Sequence, residues 1–571
     1  MSMAATATSI DTMNGHASKR RNGKDPPPDA DADLIEVEPK NGTTVEKLKA
    51  SPQRKYRHVA AVHSKSRPSC LSHDSDAAPS FIGFRNLMVI VLGKSYLEHS
   101  TASTRATPAS HLTSPPDLLG FLFLTRCVIN PGSRSRPEAR DAVVGAGRQD
   151  VAQRMPVEGP DGVVYGVLIC LRCHSYKKED LLLAVLLYFL IPCHLLVAYG
   201  IELAAAKQAR ASGKRLKAGA PAQPEHDQKP FHSTWTVIAW AHGINMTLSL
   251  FLTTFVVYFY VHHPLAGTLT EMHALIVSLK TASYAFTNRD LRHAYMHPAE
   301  GHLVPELYSQ CPYPRNITFG NLMYFWWAPT LVYQPVYPRT DKIRWVFVFK
   351  RLGEVFCLSA FIWFASFQYA APVLQNSLDK IASLDFVMIL ERLLKLSTIS
   401  LVIWLAGFFA LFQSFLNALA EVLRFGDRSF YDDWWNSESL GGYWRTWNKP
   451  VYTYFKRHVY VPMVGRGWSP WAASGTVFFV SAVLHEVLVG VPTHNIIGVA
   501  FLGMFLQLPL IAITAPLEKM RWGHTGRVMG NVIFWVSFTI FGQPFAALMY
   551  FYAWQAKYGS VSRRSGLVSQ T

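Results

Sequence analysis

The sequence predicts an all-α polytopic membrane protein. Half of its 571 residues are hydrophobic and only 16% are charged, against roughly 25% charged in an average soluble domain. Several apolar stretches are long enough to cross a bilayer core about 30 Å thick, which takes about 20 helical residues. Helices are expected there because lipid offers no hydrogen-bond partner to an open backbone.

The charge balance is basic, with 55 Lys and Arg against 38 Asp and Glu, a net charge of +17. In a polytopic protein this excess indicates cytosolic loops rich in Lys and Arg, and we expect no nucleic-acid partner. The seven cysteines are scattered and suggest no disulfide framework. Residues 1–80 are predicted to be a disordered cytosolic tail, since they are polar and lack the apolar core of a secretory signal.

Five stretches are predicted to cross the membrane, because each is longer than about 20 residues and carries at most one formal charge. They are residues 181–206, 235–260, 355–378, 396–420 and 528–556. Residues 468–517 contain Glu486 as their one formal charge and are long enough for a hairpin of two further helices.

Two basic loops, residues 207–217 and 424–466, are expected in the cytosol. Loops on the same side of the membrane need an even number of crossings between them, but only three clear spans lie there. We therefore expect one weaker span, either 269–286 or 321–338.

The region before these spans has an unusual composition. Residues 81–92 begin like a membrane helix but are too few to cross. Residues 93–164 are rich in Ser, Arg, Pro and Gly and show no sustained periodicity. Two interpretations stay open: a disordered loop, or a retained intron in the gene model, since Gly93-Lys94-Ser95 can be encoded by a splice-donor-like sequence. Residues 557–571 form a C-terminal tail.

An aromatic and acidic segment gives the most specific local pattern. Four Trp lie among the residues of Phe430-Tyr431-Asp432-Asp433-Trp434-Trp435-Asn436 and Tyr443-Trp444-Arg445-Thr446-Trp447-Asn448-Lys449-Pro450. An interfacial aromatic belt would account for the rings. It does not account for the acidic residues or for the nearby cations Lys449, Lys456, Arg457 and Arg466. The segment favours a cytosol-facing site for a phosphate-bearing amphiphile.

His485 lies in an otherwise apolar helical pattern. An ionisable residue at membrane depth costs several kcal/mol and is a functional-site hypothesis by default. Its neutral imidazole could act as a general base, or it could be a hydrogen-bonded structural histidine. We expect no metal site, because a zinc-protease pattern starting at His485 would need a second histidine where Val489 stands. Cys170-Leu171-Arg172-Cys173-His174 fits a haem-attachment pattern without a haem-domain context.

With these motifs, the chain resembles the type-one diacylglycerol O-acyltransferases, a branch of the membrane-bound O-acyltransferase superfamily. The pattern FYxDWWN is met by Phe430, Tyr431 and residues 433–436. The similarity covers residues 81–92 and about 165–556, which favours an insertion at 93–164. The resemblance implies a core at 165–556 with about nine transmembrane helices enclosing a reaction chamber.

The resemblance also implies the site. His485 would be the catalytic histidine and Asn448 its partner, while Gln543 lies in a family pattern, Gly542-Gln543-Pro544. Tyr452 departs from the histidine of many relatives. The residues implied in substrate binding are Phe430, Tyr431, Asp433, Trp434, Trp435, Asn436, Trp447 and Gln543.

The implied reaction is acyl transfer from acyl-CoA to diacylglycerol, without a cofactor, by an enzyme of the endoplasmic reticulum membrane. The N-terminus would be cytosolic, and the enzyme would form a homo-oligomer in the lipid bilayer. One alternative is a sterol O-acyltransferase, which uses the same chemistry on another alcohol. A transporter with His485 as a proton relay is a second alternative, although no internal repeat of the kind transporters carry is evident.

Overall fold

The computed structural model describes residues 58–72, 80–91, 178–217, 229–297, 304–383, 385–519 and 524–558. Within these ranges the regular structure is helical, and β-type pairing is limited to two isolated bridges, Arg67 with Asp427 and Arg339 with Phe425. The prediction of an all-α fold is therefore confirmed. The predicted insertion or loop at 93–164, the haem-like pattern at 170–174 and residues 559–571 of the predicted tail lie outside the described residues. The first two residues of that tail, 557 and 558, are the last residues of a helix.

The first part of the described chain contains six α-helices. They are α1 (Ile82–Val91), α2 (Lys178–Leu190), α3 (Cys193–Lys217), α4 (Lys229–Tyr260), α5 (Pro264–Met296) and α6 (Phe319–Trp327). Pro192 separates α2 from α3, because proline has no backbone N–H to continue the helical ladder. At the start of α5, the ring of His263 caps the helix by accepting from the N–H of Ala266.

The remaining helices form the second part of the core. They are α7 (Trp345–Ala365), α8 (Ala371–Gln375), α9 (Leu378–Ala382), α10 (Phe386–Phe408), α11 (Leu416–Val422), α12 (Leu440–Thr446), α13 (Lys449–Phe455), α14 (Val461–Gly465), α15 (Pro470–Gly490), α16 (Val499–Phe505), α17 (Gln507–Lys519), α18 (His524–Val536) and α19 (Gln543–Tyr558). Four π-helical turns join consecutive helices of this part: Ser366–Ala370, Phe409–Phe415, Lys456–Tyr460 and Ser537–Gly542.

Six helical segments of the described chain are long and apolar enough to cross a membrane. They are Glu179–Ser212, Trp235–Tyr260, Phe386–Val422, Pro470–Gly490, Val499–Pro516 and Gly526–Lys557. Four of the five predicted spans and the predicted hairpin fall on these segments. The fifth predicted span, 355–378, is helical through α7, its π-turn and α8.

The two candidates for a weaker span differ in structure. Residues 269–286 lie within α5, which is 33 residues long. Residues 321–338 contain most of α6, a helix of only nine residues, and then a non-helical segment. The structure therefore favours 269–286. Sequence hydropathy is low there because α5 carries buried polar groups, including Lys280, whose ammonium donates to three backbone carbonyls at 2.8–2.9 Å.

Part of the predicted N-terminal tail packs against the helical core. Val59 is 1% exposed, and the backbone N–H groups of Val62 and His63 donate to Oε1 of Gln334 at 3.0 and 2.8 Å. Arg67 pairs with the chain at Asp427 through the isolated bridge. Residues 58–72 therefore correct the prediction of a disordered tail. Their contacts are with residues more than 200 positions away, which composition could not reveal.

Candidate active site

His485 lies in α15 with an exposed ring and a defined hydrogen bond. Its Nδ1 is 2.7 Å from the carbonyl oxygen of Ser481, one turn earlier in the helix. A carbonyl oxygen only accepts, so Nδ1 carries the proton and the lone pair of the neutral ring lies on Nε2. Nε2 forms no hydrogen bond with any other described residue. The arrangement is that of a general base with its basic nitrogen open.

The neighbouring Glu486 faces a different part of the protein. Its carboxylate accepts from the backbone N–H groups of Gly498 and Phe501 at 2.9 and 3.0 Å, and from the hydroxyl of Tyr550 at 2.7 Å. An anion at these amides stabilises the N-terminus of α16. Adjacent helical residues point about 100° apart. Glu486 is thus a structural cap that holds α15, α16 and α19 together.

Asn448 is the N-cap residue of α13. Its Oδ1 accepts from the backbone N–H of Val451 at 3.3 Å, while its Nδ2 donates to no other described residue. The Asn448 amide therefore keeps two N–H donors for a ligand. Val451 and Leu484, the residue before His485, both pack on one buried cluster that contains Tyr454 and Phe455. This cluster brings the helices of Asn448 and His485 against each other.

Gln543 begins α19, directly after the π-helical turn Ser537–Gly542. It is half-buried. Tyr550, which binds Glu486, follows seven residues later on the same helix. Seven residues are close to two helical turns, so both side chains lie on one face of α19. Gln543 therefore lies two helical turns from the Tyr550–Glu486 hydrogen bond that joins α19 to α15, the helix of His485.

The aromatic rings of the FYxDWWN motif lie in the protein core. The exposed fractions of Phe430, Tyr431, Trp434 and Trp435 are 2%, 1%, 0% and 0%. Trp434 alone packs on rings from α10, α12 and α18, including Trp404 at a centroid distance of 5.1 Å. These four side chains contact protein on all sides, so neither an interfacial belt nor direct ligand contact describes them.

The motif is bound on one side to the segment that carries Asn448. The Asp432 N–H donates to Thr446 O at 2.9 Å, and the Lys449 N–H donates to Phe430 O at 3.0 Å. The Asp432 carboxylate also accepts from the Lys449 ammonium at 2.8 Å. Asn448 lies between the residues that make these contacts. The motif therefore fixes the backbone on both sides of Asn448.

Trp447, which precedes Asn448, also packs on aromatic rings of neighbouring helices. Its ring stacks on Tyr443 at a centroid distance of 5.8 Å and 8° between planes, and it lies 6.2 Å from Trp404. Trp447 is only half-buried. It is the predicted substrate-binding tryptophan that the structure leaves partly open.

On its other side, the motif binds α1 and α18. The side-chain oxygen of Asn436 accepts from the N–H of Gly83 at 2.8 Å, and the side chain of Asn531 donates to Trp435 O at 3.0 Å. The helices come very close here: a Cβ on Gly83 would lie 1.7 Å from Trp435 O, and one on Gly530 would lie 2.0 Å from Glu438 O. Both positions require glycine.

The polar residues of the motif are also engaged within the protein. The exposed Asp433 accepts from Asn436 Nδ2 at 2.9 Å. Tyr431 donates to Oε1 of Gln413 at 2.6 Å, and burial raises the pKa of the Tyr431 hydroxyl, which keeps it a donor. Burial, and secondarily Asp432 and Asp433, raise the pKa of the nearby Cys70 thiol to about 12.

The basic residues predicted to hold phosphates are not all open to a ligand. Lys449 binds Asp432, and Arg457 is buried, where it donates to the carbonyls of Tyr333 and His58. Arg457 thus secures the N-terminal segment. Its neighbour His458 forms a buried chain with His58 and Ser283 that sequence reasoning missed. No group of three potential metal ligands occurs in the described part of the chain.

Comparison with known proteins gives consistent matches. Residues 233–552 match the family profile described as MBOAT, membrane-bound O-acyltransferase family. Diacylglycerol O-acyltransferase 1C of Glycine max is 40% identical over 296 residues, 52% of this chain and 56% of that protein. Diacylglycerol O-acyltransferase 1 of Arabidopsis thaliana is 40% identical over 298 residues, 52% of this chain and 55% of that protein.

A third relative gives a similar match. Diacylglycerol O-acyltransferase 1 of Dictyostelium discoideum is 39% identical over 289 residues, 51% of this chain and 45% of that protein. The chain thus spans about half the length of the curated relatives it matches. The profile covers more than half of the chain and includes all of α5 to α18. Together with its apolar helices, this match identifies the protein as a multi-pass member of the membrane-bound O-acyltransferase family.

Proposed function

We propose that this protein transfers a fatty acyl group from acyl-CoA to the free hydroxyl of diacylglycerol, which yields triacylglycerol and CoA. The main support is the hydrogen bond from His485 Nδ1 to the Ser481 carbonyl, because it leaves Nε2 basic on an exposed ring. The choice of diacylglycerol over a sterol rests on the names of the relatives.

In the proposed mechanism, His485 Nε2 accepts the hydroxyl proton as the alcohol oxygen attacks the thioester carbonyl. The new C–O bond forms, the C–S bond breaks, and the proton passes from His485 to the CoA sulfur. General-base catalysis of this kind contributes about 10²- to 10⁴-fold. The thioester is already activated, so we propose no cofactor beyond the co-substrate acyl-CoA.

Asn448 is proposed to stabilise the oxyanion that develops on the thioester carbonyl. Its Oδ1 is held by Val451, which turns the two Nδ2 hydrogens into fixed donors. Trp447 and Gln543 are proposed to contact substrate, since both are half-buried. Trp447 directly precedes Asn448, and Gln543 lies on the helix whose Tyr550 binds Glu486. The other residues of the motif, with buried rings and internal hydrogen bonds, are proposed to position Asn448.

The test compares His485→Ala with a matched histidine variant, His262→Ala. His262 is half exposed and contacts Asp180 and the ring of His494, which follows α15 in the chain, rather than α15 itself. Both are expressed in membranes that lack neutral-lipid synthesis, supplied with labelled oleoyl-CoA, and the lipid products are separated. We expect His485→Ala to lose at least about 10²-fold in triacylglycerol formation, with His262→Ala unchanged. Retained turnover in His485→Ala would contradict the proposal.

The same assay separates the alternatives. It is run on the full chain and on a chain lacking residues 93–164. Steryl ester as the product would move the function to the sterol O-acyltransferases. No neutral lipid from either well-expressed protein would favour the transporter.

We further propose an endoplasmic reticulum location, a cytosolic N-terminus and a homo-oligomeric state. Location and oligomerisation follow from the resemblance to the type-one enzymes. The orientation is supported by the basic residues at the end of α3, beginning with Lys207 and Arg210.

A further inference from the structure

Two buried histidines join the N-terminal segment, residues 58–72, to the core. His58 lies in this segment and His458 in the π-helical turn Lys456–Tyr460, and they are 3% and 5% exposed. Their Nδ1 atoms are 3.0 Å apart, and their rings stack at a centroid distance of 5.3 Å. One hydrogen fits between two nitrogens at this distance, so one ring donates and the other accepts. The accepting ring must be neutral, because both nitrogens of a charged imidazole carry hydrogens.

The second nitrogen of His458 is also engaged. Its Nε2 is 2.7 Å from Oγ of Ser283, which accepts from the backbone N–H of Tyr333 at 2.8 Å. When the Ser283 hydroxyl donates to Nε2, His458 is neutral and its Nδ1–H donates to His58. A proton added to Nε2 would displace the serine donor. The chain of hydrogen bonds from Tyr333 to His58 is therefore complete with both rings neutral.

The charges around the pair oppose a further proton. The buried guanidinium of Arg457 donates to the carbonyl of His58. Within the described ranges, the acid in contact here is Asp290, whose carboxylate accepts from Arg289 at 2.8 Å and from the His58 N–H at 3.0 Å. Burial is the main cause that holds the pKa of His458 well below its usual value, and the two arginines add to it. The other described neighbours of the pair are uncharged near neutral pH: Phe286, Thr287 and Tyr454.

The segment held by this pair also contacts the candidate site. Val62, four residues after His58, packs on the buried cluster on which Val451 and Leu484 also pack. Those two residues belong to α13 and α15, which carry the candidate site. Docking of residues 58–62 therefore adds packing at the junction of the two helices.

We propose that His58 and His458 form an acid-sensitive latch, which holds residues 58–62 on the core while both rings are neutral and releases them when the rings are protonated. Released imidazoles take up protons below about pH 6.5. The docked rings cannot do so without losing the shared hydrogen and placing a charge beside Arg457. Docking is therefore fully kept above about pH 6.5 and is weakened as the pH falls below it. The proposal does not depend on the proposed function.

The far end of the segment should stay docked in acid. His63 contacts Asp427 through Nδ1 and Thr330 through Nε2, both at 2.8 Å. A proton on this ring faces a carboxylate, so acid strengthens the contact. The N–H of Arg67 donates to the carbonyl oxygen of Gly426 at 3.1 Å. The Arg67 amide is thus an internal reference that acid should not release.

The test is hydrogen–deuterium exchange of the full chain in nanodiscs at pH 7.5 and 5.5, with labelling times scaled to equal chemical exchange. Mass spectrometry follows the amides of His58 and Val62, which donate to Asp290 and Gln334 at 3.0 Å each. Uptake of one proton on release lowers the docking constant about tenfold over this pH range, and uptake of two lowers it about 100-fold. We expect protection of these amides to fall accordingly, with that of Arg67 unchanged. Equal protection of Val62 at the two pH values, or an equal loss at Arg67, would overturn the proposal.

A variant pair separates titration from packing. H58N/H458Q keeps neutral hydrogen-bonding groups and removes both imidazoles, whereas the control H262N/H297N removes two exposed histidines elsewhere. We expect H58N/H458Q to show the same protection of Val62 at both pH values, at whatever level the variant docks. The control should keep the acid-dependent loss. An acid-dependent loss that persists in H58N/H458Q would overturn the proposal.

Chemical modification gives a readout that needs no variant. Diethyl pyrocarbonate modifies neutral imidazoles, so an open ring such as the half-exposed His262 becomes less reactive as the pH falls. We expect His58 and His458 to show the opposite trend, with more modification at pH 5.5 than at pH 7.5, because release exposes them. Parallel decreases at all three histidines, read by mass spectrometry, would overturn the latch.

Discussion

Replacing Gly83 with alanine tests whether α1 is docked on the FYxDWWN motif. The added Cβ would lie 1.7 Å from Trp435 O, whereas real contacts stay beyond 3.0 Å, so α1 must move by at least 1.3 Å. The movement would break the hydrogen bond from Gly83 N–H to Asn436 and disturb the stacking of Phe81 and Phe84 on Trp435.

The loss of these contacts sets the expected decrease in the free energy of unfolding. A hydrogen bond contributes about 1 kcal/mol and each aromatic pair about 1 kcal/mol, so Gly83→Ala should destabilise the protein by about 3 kcal/mol. For a protein of this size, with an unfolding entropy of about 2.1 cal/mol/K per residue, we expect the thermal midpoint to fall by about 2–4 °C. Unfolding is followed by tryptophan fluorescence of the purified protein in detergent.

Gly200→Ala is the matched control. It introduces the same methyl group in α3, where no heavy atom lies within 4 Å. Alanine is preferred over glycine in a helix by up to about 1 kcal/mol, so this variant should be unchanged or slightly more stable. Equal midpoints for Gly83→Ala and Gly200→Ala would refute the close packing of α1 on Trp435.

Two further predictions concern Tyr550 and Cys70. Tyr550→Phe removes the hydroxyl bound to Glu486 and should cost about 2 kcal/mol of stability, measured as a lower thermal midpoint. Turnover should change little, because Glu486 keeps its two backbone donors; a loss as large as that of His485→Ala would instead give Glu486 a catalytic role. Cys70 should react with iodoacetamide at pH 8 at least about 100-fold more slowly in the folded protein than in SDS, since raising its pKa from 9.0 to about 12 removes most of the thiolate. Equal rates, read by peptide mapping, would contradict that burial.

The membrane helices could be predicted because the bilayer imposes a local rule of length and apolarity. The hairpin at 468–517 satisfied that rule and is seen as α15 with α16 and α17. Helix α5 did not satisfy it, since Lys280 is paired with carbonyls of a later segment. A hydropathy average counts such a residue as polar and cannot include its distant partners.

The candidate site was predicted in part. His485 could be singled out because an ionisable residue in an apolar helix is rare. The burial of the FYxDWWN rings could not be predicted, because tryptophan and tyrosine occur both at membrane interfaces and in protein cores. Burial here depends on Gly83, which lies 353 residues before its partner Asn436. The π-helical turn before Gln543 is a second obstacle, because it shifts the helical phase on which face predictions rest.

The anchoring of α1 bears on how the gene should be interpreted. Its partners Trp435, Asn436 and Asn531 all lie in the second half of the chain, so its place does not depend on how many residues join Val91 to Lys178. That connection has 86 residues, or 14 without residues 93–164. The docking of α1 is therefore compatible with either length, and sequencing the transcript across codons 92–165 is what distinguishes a natural insertion from a retained intron.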